Sequence, residues 1–99
     1  MIDIRDITPG ESYACQFRVK DVPLDEYGRL GGLYSLADLP IARVGEYTGL
    51  GILMQRDLDN QLVRLKDQDS NHEFVCGFDD IWDIDTIEWE EPFDRIATD

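Results

Sequence analysis

Gly51-Ile-Leu-Met-Gln-Arg56, Gln61-Leu-Val-Arg-Leu-Lys66 and His72-Glu-Phe-Val-Cys-Gly-Phe78 are three short runs separated only by Asp57-Leu-Asp-Asn60 and Asp67-Gln-Asp-Ser-Asn71. Each run has the length of a strand. Val63 and Leu65 define one face of the second, and Phe74, Cys76 and Phe78 one face of the third, with Gly77 a bulge or a point of close approach. The connections are rich in side chains that bond their own backbone and tolerate left-handed conformations, which suits hairpin loops. The stretch reads as an antiparallel meander.

Upstream, Tyr13, Cys15, Phe17 and Val19 alternate with Ala14, Gln16, Arg18 and Lys20. This period of two predicts a half-buried strand over residues 12–20, led in by a Pro9-Gly10 turn. Residues 21–47 then contain Pro23, Gly28, Gly31, Gly32, Pro40 and Gly45, too many breakers for a long helix or a central strand. The expectation is a long loop that folds back on the domain through Leu30, Leu33, Tyr34, Leu36 and Leu39, with Ser35 capping a helical turn through Asp38. Downstream, Trp82 and Ile84 occupy even positions but Ile87 and Trp89 odd ones, a change of parity that a regular strand cannot make. A tight helical turn around residues 80–82 and a short closing strand near 86–89 are therefore expected, and residues beyond Glu90 show no period.

The predicted class is mainly β, with residues 1–90 forming a single domain and 91–99 a loosely ordered acidic tail. Its core is expected to hold Tyr13, Cys15, Phe17, Val63, Leu65, Phe74, Cys76, Phe78, Ile84 and Trp89. One strand, a long first loop, a meander, a short 3-10 turn and a last strand make an order that resembles the SH3-like fold, which implies a small five-stranded barrel. The loop pattern that lines the peptide groove of signalling members of that fold is missing around Tyr34 and Tyr47, so proline-rich peptide binding is not carried over. The compact acidic sequence, with Pro9-Gly10 and Asp80-Ile-Trp-Asp83, also resembles uncharacterised small acidic proteins of tailed bacteriophages. That resemblance implies a minor virion component or an early protein that binds and redirects a host factor.

The 99 residues carry 9 basic and 22 acidic side chains, a net charge of −13. Such a balance disfavours direct contact with nucleic acid or an anionic membrane. The acidity gathers at the C-terminal end, where residues 79–99 hold nine acids against Arg95. No stretch approaches the ~20 apolar residues of a membrane helix, and Met1 is followed by Ile-Asp-Ile-Arg-Asp rather than a signal sequence, so a cytoplasmic location is expected, in the host or in the virion if phage-encoded.

The residues offer little for catalysis. His72, beside a hairpin loop, reads as a solvated turn residue, and Cys15 and Cys76, 61 positions apart, read as reduced core thiols. Asp57-x-Asp59-x-Gln61 begins like a calcium loop, but Leu62 stands where that motif needs glycine and Gln68 where it needs glutamate. The glycines at 28, 31, 32, 49 and 51 do not follow a strand and open a helix, so they make no phosphate cradle. No catalytic residue, cofactor or metal is expected.

The remaining candidates are binding surfaces. Long ordered loops on small scaffolds tend to be functional, and the first reading is a protein-binding module that makes contact through Leu33, Tyr34, Leu36 and Tyr47. The alternative is nucleic-acid mimicry by an acidic face of Asp79, Asp80, Asp83, Asp85, Glu88, Glu90 and Glu91. Carboxylates at alternate strand positions recur about every 6.7 Å, on the scale of the phosphate repeat. The partner is another protein in either case, and the oligomeric state is left open.

Overall fold

A computed structural model describes residues 2–88. Five antiparallel strands form one sheet: β1 (Tyr13–Leu24), β2 (Arg43–Asp57), β3 (Leu62–Asp67), β4 (Glu73–Gly77) and β5 (Ile81–Thr86), in the order β4-β3-β2-β1-β5. Three single-turn 3-10 helices, Ile4–Asp6, Gly32–Tyr34 and Phe78–Asp80, are the helical elements among the described residues. None is long and apolar enough to cross a membrane.

The meander forms as expected. Asp57 accepts from both the backbone and the side-chain nitrogen of Asn60 in the β2–β3 connection, which holds its carboxyl below the usual range. Asp67 performs the same service for Ser70 between β3 and β4. The left-handed positions fall on Gln61 and Asn71. The Pro9-Gly10 turn is also present, with Gly10 at a φ of 97° and Glu11 N donating to the carbonyl of Thr8.

The expectations for the long loop and for the C-terminal end need correction. The loop predicted over residues 21–47 is only 18 residues of connection, 25–42, because β1 runs on to Leu24 and β2 begins at Arg43. Asp21, at a φ of 59°, makes a bulge between Val19 and Val22 that turns Val22 and Leu24 into the core, and their burial outweighs the breaker signal of Pro23. The helical turn within the loop precedes Ser35 rather than following it, and Ser35 instead closes a turn by accepting from Ala37 N and Asp38 N. Near the C-terminal end, the 3-10 turn and β5 each begin earlier than expected. The parity change is absorbed within the strand by Asp83, whose φ of 54° makes a bulge so that Ile81 and Ile84 both face inward.

The sheet curls around one core. Phe17 of β1 meets Phe74 of β4 at 5.7 Å between ring centroids although two strands lie between them in the sheet order. Tyr13, Cys15, Phe17, Val63, Leu65, Phe74, Cys76 and Ile84 are all buried in that core, with Phe78 partly buried against it; Trp89 lies outside the described residues. The N-terminal segment joins as well. Ile4 and Ile7 are buried, Arg56 donates to both of their carbonyls, and Ile2 bridges to Ile84. Among the described residues the sheet does not close into the expected barrel, because no ladder of hydrogen bonds joins β4 to β1 or β5.

Candidate functional site

The loop of residues 25–42 is built from its base upward. Buried Asp25 accepts from the backbone N–H groups of Tyr27 and Arg29 through one oxygen, 2.9 Å from each, making a tight turn at the end of β1. Leu30 then returns alongside Leu24 as a short bridge, and Gly31 N donates to the carbonyl of Pro23. Farther out, Gly32 N donates to Leu39 O at 2.7 Å, and Ala42 N to Leu24 O at 2.8 Å. The loop is thus tied to itself and to β1 at each end of its apex. That apex presents Leu33, 93% exposed, and Leu36, 71% exposed, with Ile41 and Val44 also outward.

The four residues expected to bind a partner do not share one surface. Leu33 and Leu36 face solvent. Tyr34 is half-buried, its ring parallel to Phe74 at 5.6 Å and edge-on to His72 at 4.4 Å. Tyr47 is only 8% exposed and donates its hydroxyl to Asp67, so it is part of the wall beneath the loop and not an exposed anchor. Leu36 and Tyr47 do line a common groove of about 440 Å³ between the loop and the β3–β4 turn, with Arg29, Asp67 and Asp69. His72, read from sequence as a solvated turn residue, is half-buried between Tyr34 and Phe74.

A second groove, of about 470 Å³, lies where the sheet fails to close. One wall is residues 18–22 of β1 and the other residues 73–77 of β4. Tyr34 and His72 stand at one end. At the other, Arg18 pairs with Asp80, its Nη2 2.8 Å from the carboxylate, and Asp80 raises the guanidinium pKa through that hydrogen bond and charge. Between them, Cys76 Sγ donates to the carbonyl of Arg18 at 3.8 Å.

The acidic residues are divided. Asp80 belongs to the second groove and is matched by Arg18, whereas Asp79 and Asp83 flank a smaller groove of about 260 Å³ with Arg5 and Trp82. Asp85 and Glu88 are exposed; Glu90 and Glu91 lie outside the described residues.

Burial pushes the Cys15 thiol up to about 12 and the Cys76 thiol to about 11, which keeps both protonated and poorly nucleophilic at neutral pH. Both are free. Among the described residues no three His, Cys, Asp or Glu side chains are grouped to hold a metal ion. The described surface also offers exposed apolar side chains and strand edges.

Sequence reasoning missed Asp25 and Asp67 as loop organisers buried in the domain. The signal was there in the clustering of Asp, Ser and Asn at the ends of the strands, which identifies turns but does not say which carboxylate turns inward. No family model, curated protein or solved structure matches the chain.

Proposed function

We propose that the chain is a non-catalytic protein–protein interaction module on an SH3-like barrel scaffold, and that it makes contact through the apex of the β1–β2 loop. The setting implied by its resemblance is a phage accessory or virion protein that binds a host or viral protein. One observation carries the reading: a loop held by its own backbone hydrogen bonds keeps Leu33 and Leu36 in solvent. Exposing two leucines on an ordered backbone forgoes burial worth roughly 1.5–3 kcal/mol for each side chain. A partner that covers them recovers that energy without first ordering the loop.

The alternative is an acidic mimic of nucleic acid, favoured by the exposed Asp83, Asp85 and Glu88. The two readings separate by salt and by mutation. Capture from the native cell identifies the partner, and its affinity is then titrated at low and high salt. Leu33→Asp with Leu36→Asp should weaken binding at least tenfold, with little salt dependence. If that variant binds normally while Asp83→Lys, Asp85→Lys and Glu88→Lys together abolish binding and duplex DNA competes, the mimic is the correct reading.

A further inference from the structure

We propose that the open seam between β1 and β4 receives an extended segment of a basic partner protein, which adds to the free edge of β4 as a further strand. This surface is distinct from the Leu33 and Leu36 apex and stands whether or not that apex is a contact.

The hydrogen-bonding phase of β4 fixes which of its groups are available. Asp67 N donates to His72 O, and Phe78 N donates to Gln61 O, at the two ends of the β3–β4 pairing. The register between them pairs Leu65 with Phe74 and Val63 with Cys76. Antiparallel pairs alternate, so Phe74 and Cys76 turn their backbone groups toward β3, and Glu73, Val75 and Gly77 turn theirs the other way. That outward side has no strand partner among the described residues. Across the groove, β5 covers β1 only from Tyr13 to Phe17, and the loop covers it again near Leu24, which leaves residues 18–22 without a strand neighbour on that side, where Arg18 O accepts from Cys76 Sγ. The two uncovered lengths face one another as the walls of the 470 Å³ groove.

Backbone edges of this kind recognise an extended chain, with the main chain giving affinity and alternate side chains giving specificity. Five residues of β4 accommodate a strand about 17 Å long. Its alternate residues on one face meet Phe74, Tyr34 and Val22, so apolar side chains fit there. Its charge is set by the whole molecule. At −13 overall, with Glu73 and Asp21 left over around the groove once Arg18 pairs with Asp80 and only Lys20 set against them, the protein attracts a basic segment and repels a second copy of itself. Proline is excluded wherever the incoming chain must donate to Glu73 or Val75.

The probe is a fluorescent heptapeptide, acetyl-Thr-Val-Lys-Val-Lys-Val-Thr-amide, together with two isomers carrying two N-methyl groups each, at residues 3 and 5 or at residues 4 and 6. The side chains and charge are common to all three, and each isomer loses the donors of one edge only. At high salt the parent peptide should bind saturably, one isomer should bind at least tenfold more weakly, and the other should stay near the parent. Amide exchange should slow at Val75 and Gly77 on binding. Val75→Pro removes an outward donor that an edge strand can spare, and should weaken the parent peptide while Val75→Thr does not. Absence of saturable binding, equal binding by both isomers, or protection confined to other strands would overturn the proposal. So would a folded Val75→Pro variant that binds like the parent, or sedimentation showing the β4 edge occupied by a second copy.

Discussion

Tyr47 donates its hydroxyl to Asp67 Oδ1 at 3.0 Å, and the same carboxylate accepts from the backbone and hydroxyl of Ser70 through its other oxygen. Asp67 is 1% exposed, yet every one of these contacts is a neutral donor rather than a cation. A buried carboxylate here joins the middle of β2 to the β3–β4 turn.

Asp67→Ala should therefore cost about 2–4 kcal/mol, because it leaves the Tyr47 hydroxyl and the Ser70 donors without their acceptor, all of them largely buried. Tyr47→Phe should cost about 1 kcal/mol. Urea denaturation of both variants and the double variant checks the coupling; additive losses would mean that the hydrogen bond contributes nothing.

Gly49 lies beneath that pair. A Cβ there would stand 2.8 Å from the Tyr47 ring and 2.9 Å from Asp67 Oδ1; at Gly51 it would meet Leu65 at 2.8 Å and Phe17 at 3.1 Å. Gly51→Ala should destabilise by about 1–3 kcal/mol through overpacking. Its thermal melt should fall clearly below that of Gly10→Ala corrected for the left-handed backbone, since position 10 has open space around it.

Alkaline pH should weaken the fold. Cys15, Cys76 and Tyr47 all have pKa values raised by burial above their ordinary values near 9 for the thiols and 10 for the phenol. Their contribution is fully present below the ordinary values. As pH rises past 9 the unfolded chain releases protons that the folded chain keeps, and stability falls by up to ~1.4 kcal/mol per pH unit for each group until the folded value is reached. Denaturant melts between pH 7 and 10.5 should show the decline, and Cys15→Ala with Cys76→Ala should flatten it. Thiol reagent should label the native protein slowly and the denatured protein at once.

Phe17 touches both Tyr47 and Phe74, at 5.9 and 5.7 Å between centroids. Phe17→Ala should cost about 3–5 kcal/mol in chemical denaturation. A variant that melts with the parent would place the core elsewhere.

Asp83 holds a left-handed backbone at the β5 bulge. Asp83→Gly should be neutral or stabilising, whereas Asp83→Val should destabilise by about 1–2 kcal/mol, because a β-branched side chain crowds that conformation. Equal melts for the two would remove the bulge as a requirement of the fold.

The strands of the meander and the inward face of β1 were legible because alternation reports burial on one side of a sheet, as Phe17, Val63 and Phe74 show. Departures from that period carried the errors. Asp21 and Asp83 each insert a left-handed residue into a strand, and aspartate does this too seldom to be read as a bulge from one sequence. Ile4 and Ile7 lacked a periodic context altogether, although both are buried. At the site, the leucines at 33 and 36 were legible as surplus apolar residues in a breaker-rich segment. Tyr47 was not separable from them, since its burial depends on a carboxylate twenty residues later. The seam at β4 was illegible for a deeper reason: which edge of a strand goes unpaired is a property of the sheet order, not of the strand.

The bridge from Ile2 to Ile84 gives the molecule a particular biography. On the ribosome Ile2 must wait until Ile84 has emerged before its native neighbour exists. β1 waits in part as well, since it pairs with β2 along nearly its whole length but its opening half also needs β5. Folding dominated by such distant pairings belongs to the slow end of the range for small domains, milliseconds to seconds. During synthesis the β2–β3–β4 meander can assemble by itself, while the opening half of β1 waits with its apolar side chains Tyr13, Cys15 and Phe17 short of one strand neighbour, a surface that a chaperone can recognise.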